Sequence, residues 1–206
     1  MILVHGRGAT AESILTLADE FNFDDVAYLA PQAAGNTWYP YSFLAPIPQN
    51  EPGISSAMGV LSGLLARLAA DGVDPSCVAL LGFSQGACLT LEFVASHARQ
   101  YAAVFAFSGG LIGPPGTPRQ YPGSFDNTQV FLGCSDVDSH IPIDRVHESA
   151  DVFRRMGAAV DERIYPGMGH TVNQDEITAV IRFANRFVCQ PPVRRDDLSP
   201  GRASSS

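Results

Sequence analysis

Val78-Ala79-Leu80-Leu81-Gly82-Phe83-Ser84-Gln85-Gly86-Ala87-Cys88-Leu89 runs from a short apolar stretch, through a serine bracketed by glycines, into residues that favour helix. The pattern Gly-x-Ser-x-Gly means little alone. Between a strand and a helix it has the form of a nucleophile elbow, a sharp turn that lifts a serine hydroxyl to the helix N-terminus. Such a turn leaves no room for side chains beside the serine, which is the physical reason for both glycines. The stretch therefore predicts an α/β protein with Ser84 as the candidate nucleophile.

The rest of the chain agrees with that class. Short β-branched apolar runs alternate with longer segments of helical period, the pattern of a mainly parallel sheet with helices on both faces. Six strands are expected, near residues 1–5, 25–30, 77–82, 102–107, 129–134 and 159–165. Between them Ile14, Leu17, Ala18 and Phe21 recur at helical spacing, as do Leu61, Leu64, Leu65, Leu68 and Ala69, with Gly72 as the stop. Further helices are expected from Gly86 to Ala98, from Arg145 to Met156 with Gly157 as terminator, and from Ile177 to Val188. Two stretches, Pro31 to Gly53 and Ser108 to Asn127, fit neither period and read as long loops, the first carrying Trp38, Tyr39, Tyr41 and Phe43. Residues 190–206 carry too little apolar material to fold and read as a disordered tail.

With 46% hydrophobic residues in 206, one compact domain is expected. The formal charge of -8, from 13 basic and 21 acidic residues, disfavours nucleic acid and anionic lipid headgroups as partners and suits a neutral or cationic small molecule. Cys77, Cys88, Cys134 and Cys189 are far apart, three of them inside apolar segments, with neither a disulfide framework nor a CxxC metal site in view. The opening Met1-Ile2-Leu3-Val4-His5 is too short an apolar run for a signal peptide, and no stretch approaches membrane-spanning length. The expectation is a cytoplasmic protein without stable membrane insertion.

A serine hydroxyl is a weak nucleophile at neutral pH and needs a positioned base. His170 follows the last expected strand on the glycine-rich loop Tyr165-Pro166-Gly167-Met168-Gly169-His170, where this architecture holds its base; His5, His97, His140 and His147 lie in less suitable places. The acid should follow a strand between nucleophile and base. Gly133-Cys134-Ser135-Asp136-Val137-Asp138 offers two, and Asp136, nearer the strand end, is preferred, with Asp138 as the alternative. His5-Gly6-Arg7-Gly8 forms a turn after the first strand whose Arg7 amide, with that of Gln85, can face a developing oxyanion. Adjacent first and third strands would open both turns into one crevice at a topological switch point.

The set His5-Gly6-Arg7-Gly8, Gly82-Phe83-Ser84-Gln85-Gly86-Ala87, Gly133-Cys134-Ser135-Asp136 and Gly167-Met168-Gly169-His170 resembles the phospholipase/carboxylesterase family of α/β-hydrolases, which includes bacterial carboxylesterases and acyl-protein thioesterases. The likeness covers nearly all of residues 2–188. It implies an α/β-hydrolase domain over residues 1–189, a triad of Ser84, Asp136 and His170, an oxyanion hole from the amides of Arg7 and Gln85, and no metal or organic cofactor. Two departures stand out. The His-Gly turn begins at residue 5 rather than after further strands, which leaves about six strands and an exposed early edge that stability elsewhere or a homodimer would offset. The family pattern Gly-x-x-Asp-x-x-Val-Pro is also longer by two residues when read from Asp136 to Pro142, which keeps Asp138 in play. Dienelactone hydrolases share the fold but use cysteine, where this chain has Ser84.

The expected reaction is two-step acyl transfer on small-molecule esters or thioesters, with Trp38, Tyr39, Phe43, Leu111 and Met168 as candidate pocket residues. Acyl-protein thioesterase or lysophospholipase-type activity is the near alternative. A non-catalytic ligand-binding module on the same fold is the distant one.

Overall fold

The computed structural model of the chain describes residues 1–184. The expected tail and the end of the last expected helix lie outside the described residues. Five parallel strands, β1 (Ile2–Val4), β2 (Ala79–Phe83), β3 (Ala103–Phe107), β4 (Gln129–Ser135) and β5 (Ala159–Tyr165), form one sheet in the order β1-β2-β3-β4-β5. Both faces of its central strands are buried, as their near-continuous apolar sequences require. Successive residues alternate between two cores: Ile2, Val4, Leu80, Val104, Val130 and Leu132 face one, while Leu3, Leu81, Phe105, Phe107 and Phe131 face the other. Each such side chain contributes about 1.5–3 kcal/mol of burial, so the sheet is held mainly by what covers it.

The first core is covered by α3 (Gly53–Ala70), α4 (Gln85–Ser96) and α5 (Ile143–Arg155). The second is covered by the short helices α1 (Ala11–Leu15) and α2 (Leu17–Phe21) and by α6 (Gln174–Ala184). Thr10 and Ser13 start α1 with a reciprocal capping box. Gly72 and Gly157 stop α3 and α5 in left-handed conformations, φ 85° and 81°, and the following N–H groups of Val73 and Ala158 return to Leu68 and Phe153.

Three expectations are corrected. The sixth strand at 25–30 is a single parallel bridge from Leu29 to Ile2, because Asp24 and Asp25 precede the apolar run and Pro31, with no N–H, ends the ladder at once. Helix α3 is long and apolar enough, at 18 residues and mean hydropathy 1.4, to cross a membrane by length and composition. Small residues hid that in the sequence; in the fold Ile54, Ala57, Leu61 and Leu65 pack its inner side onto the core. Lastly, Cys77, in a 3-10 turn before β2, is disulfide-bonded, whereas Cys88 and Cys134 are free and buried.

What positions the site is the sequence of crossings. From β1 the chain steps outward to the Leu29 bridge, then returns over the opposite face through α3 to reach β2. The turns after β1 and β2 therefore open side by side at the carboxyl edge, as a switch point requires. Both long loops are present: 31–52 contains only 3-10 turns (Ala34–Asn36 and Ile47–Asn50), and 108–127 no helix or strand.

Candidate active site

Ser84 sits between β2 and α4 with φ 55° and ψ -119°, a backbone conformation that costs a non-glycine residue about 1–3 kcal/mol. Close packing on both sides enforces it. A Cβ on Gly82 would lie 2.3 Å from the carbonyl oxygen of Gly86, and one on Gly86 would lie 2.1 Å from that of Val4 at the end of β1. The serine N–H donates to Phe107 of β3 at 2.9 Å. On the β1 side, a Cβ on Gly6 would lie 3.3 Å from the Ser84 Cβ, so the His5–Gly8 turn rests against Ser84.

His170 reaches the serine from the loop after β5. Its Nε2 lies 2.8 Å from Ser84 Oγ and its Nδ1 2.7 Å from an Asp138 carboxylate oxygen. The Asp138 side chain is fully buried. Burial alone would raise its pKa; the hydrogen bond with His170 and those from the N–H groups of His140 and Ile141 overcome that and hold the carboxyl below its ordinary range. Of the two candidate acids, the structure brings Asp138, and not the preferred Asp136, to His170. Asp136 is exposed and accepts the Gly167 N–H at 2.8 Å, so it ties down the histidine's loop without touching the imidazole. The missed signal was spacing: counted back from Ile141-Pro142, Asp138 stands where the Asp-x-x-Val-Pro pattern needs it, and the extra residues fall between Gly133 and Asp138.

Further bonds fix the same loop. Ser135 Oγ accepts the Gly169 N–H at 3.1 Å. Asn173 caps α6 by accepting from Asp175 and Glu176, and the Glu176 carboxylate accepts the Asn173 N–H at 2.9 Å. Glu176 is fully buried, its second oxygen has no hydrogen-bond partner among the described residues, and burial pushes its pKa up to about 7. The Phe83 ring lies 5.1 Å from that of His170, and His140 meets His170 edge-on at 4.7 Å.

A cavity of about 370 Å³ opens over Ser84. Of the expected pocket residues Tyr39 and Phe43 line it, together with Arg7 and Gln85, expected as oxyanion donors, and with Phe83, Cys88, His140 and Ile141, which were not expected as pocket residues. Three expected pocket residues do not. Trp38 is buried and donates to the His5 carbonyl at 2.8 Å, Leu111 is buried behind Ser149 and Arg145, and the Met168 sulfur accepts from Asn173 at 2.8 Å. The other histidines are engaged elsewhere: His5 with Gly6 and Ala33, His97 with Phe93, His147 with Glu162. Among the described residues, no cluster of three or more His, Cys, Asp or Glu side chains could hold a metal ion.

A histidine bonded to both a buried carboxylate and a hydroxyl on a strained turn is an arrangement capable of acyl transfer. The profile of the phospholipase/carboxylesterase family matches residues 1–188. A probable carboxylesterase SOBER1-like of Arabidopsis thaliana is 23% identical over 194 residues, covering 86% of this chain and 74% of that one. Acyl-protein thioesterase 1 of Aspergillus fumigatus is 26% identical over 223 residues, covering 98% and 92%. The crystal structure of a phospholipase/carboxylesterase from Dyadobacter fermentans superposes with a TM-score of 0.85 at 43% identity, over 88% of this chain and 87% of that one. With its elbow, its five-stranded parallel sheet and a family match that spans the described fold, this chain belongs to the phospholipase/carboxylesterase family of α/β-hydrolases, a family of carboxylic ester hydrolases.

Proposed function

We propose that the chain is a serine carboxylesterase that cleaves small carboxylic esters, and thioesters of similar size, through an acyl-enzyme on Ser84. One observation carries this reading: the unbroken series from Asp138 through His170 to Ser84, at 2.7 and 2.8 Å. Neutral His170 donates Nδ1–H to Asp138 and takes the serine proton at Nε2 as Oγ attacks the carbonyl carbon. The imidazolium, stabilised by Asp138, then protonates the departing alcohol or thiol. Water, deprotonated in turn by His170, attacks the acyl-serine, releasing the acid and restoring the hydroxyl. The N–H groups of Arg7 and Gln85 hold the oxyanion of both tetrahedral intermediates. Both residues line the cavity, and neither N–H has an intramolecular acceptor among the described residues.

Cavity size favours small substrates over long acyl chains, since about 370 Å³ is near the low end of the 300–1,000 Å³ typical of ligand pockets. A merely binding module has no use for a strained serine aligned with a base, which argues against the non-catalytic alternative. The test is a series of p-nitrophenyl acetate, butyrate and decanoate beside a short acyl thioester, each with the Ser84→Ala control. Turnover should be fastest for the short esters and should fall by at least about 10⁴-fold in Ser84→Ala. Equal rates for parent and variant would overturn the proposal. A preference for decanoate or for acylated peptide would instead favour the acyl-protein thioesterase reading.

A further inference from the structure

The two residues whose peptide N–H groups face the oxyanion in this reading also send their side chains to one and the same loop. The Arg7 guanidinium donates through Nη1 to Thr37 Oγ1 and the Pro40 carbonyl, both at 2.9 Å, and through Nη2 to the carbonyls of Tyr39 and Tyr41, at 2.9 and 2.7 Å. The Gln85 side chain accepts the Trp38 N–H at 3.0 Å and donates to the Tyr39 carbonyl at 2.8 Å. Beside them, the Gly8 N–H donates to the Asn36 carbonyl at 2.7 Å. The segment so gripped, 36–41, leads directly into the cavity wall at Tyr39, Ser42 and Phe43.

This pattern is unusual work for an exposed arginine in a pocket. All four of its Nη hydrogens are spent on neutral oxygens, which leaves only Nε–H and no two-pronged face for a carboxylate substrate. A charged donor on four converging acceptors is instead a clamp, and its planar fork is preorganised for that task in a way an ammonium is not. Because the Arg7 backbone carries one oxyanion donor, anything that loosens its side chain also loosens that N–H relative to Ser84.

We propose that Arg7 is a positioning residue: through its guanidinium it locks the 36–41 segment to the oxyanion turn, so that pocket wall and oxyanion donors form one rigid unit. The proposal rests on the acyl-enzyme reading above. It assigns Arg7 an effect on turnover rather than on substrate capture, through a side chain that never touches the reacting atoms.

The experiment compares the parent with Arg7→Ala and Arg7→Lys, using p-nitrophenyl acetate, an alkylboronic acid that forms a tetrahedral adduct with serine, and hydrogen exchange across residues 37–43. Arg7→Ala should lower kcat by about 10- to 100-fold, the scale of a misplaced oxyanion donor, and weaken boronic acid inhibition by a similar factor. KM should move by less than about threefold, since little ground-state binding is lost. Arg7→Lys should stay within about threefold of Arg7→Ala, because one ammonium cannot span the four acceptors. Exchange at 37–43 should quicken in both variants. An unchanged kcat, a rise confined to KM, full recovery by lysine, or unchanged exchange would each overturn the proposal. Should the parent itself fail to turn over any ester, the acyl-enzyme reading falls, and the exchange measurement still decides whether Arg7 holds the segment.

Discussion

The two halves of the site are held in different ways. On the nucleophile side, Ser84 and the His5–Gly8 turn are fixed by backbone against backbone: Gly82 and Gly86 leave no space for a methyl group, and β1 and β2 are neighbours in the sheet. On the base side, the loops after β4 and β5 are fixed by side chains that bond main-chain groups, among them Asp136 to Gly167, Ser135 to Gly169, Asp138 to His140 and Ile141, and Glu176 to Asn173. Rigid backbone contact tolerates no substitution, whereas a net of hydrogen bonds worth about 0.5–1.5 kcal/mol each can lose one strand and survive. The first half is therefore brittle and the second graded.

Within the graded half Asp138 should stand apart, because among the described residues of that half it alone hydrogen-bonds the imidazole. Asp138→Asn should lower kcat for p-nitrophenyl acetate by about 10⁴-fold, since an amide cannot stabilise the imidazolium and favours the wrong tautomer. On the brittle side, Gly86→Ala should lower unfolding free energy by more than about 3 kcal/mol, read from urea denaturation, because the new methyl group meets the Val4 carbonyl rather than a movable side chain. Asp136→Ala, which removes a single loop bond, should cost no more than about tenfold in kcat. A fold that accepted Gly86→Ala but not Asp136→Ala would reverse the comparison.

A further expected effect concerns pH. Glu176 has a folded pKa near 7, above the ordinary carboxylate value, so the folded state prefers it protonated. Below the unfolded value both states carry the proton and nothing is lost. As pH rises from about 4.5 through about 7 the folded state is progressively disfavoured, by at most about 3 kcal/mol, and the penalty is constant above that. Asp138 has the opposite sign: its depressed pKa contributes stability above about 3.8 that is lost only as pH falls further. Glu176→Gln keeps an acceptor for Asn173 and removes the charge, so thermal melts between pH 4.5 and 8 should show a falling Tm in the parent and a flatter profile in the variant. Parallel profiles would remove Glu176 from the account of how this loop is held.

This contrast also explains what could be read from the sequence. Gly82, Ser84 and Gly86 are legible because a hard steric demand permits one residue type, and the same holds for the strand runs whose two buried faces demand continuous apolar sequence. His170 stands out in the sequence by its place after the last strand, and the structure brings it to Ser84. Asp136 and Asp138 are chemically identical and two positions apart; the strand end favours the first and the spacing to Ile141-Pro142 the second, and bonds from Gly167, His140 and Ile141 decide between them in the fold. The false strand at 25–30 failed for a related reason: its composition suits a strand, but Pro31 and the lack of a further partner leave one bridge. Trp38 and Leu111 have pocket-like chemistry and lie in the right loops, yet packing turned them inward.

The most direct test of the central claim is covalent. A fluorophosphonate should add to the parent once, with the adduct mapped to the peptide containing Ser84, and intact mass should show no adduct on Ser84→Ala. Labelling should be slowed severely by Asp138→Asn and only slightly by Asp136→Ala. An adduct on any other residue, or a rate that depends on Asp136 more than on Asp138, would contradict the account.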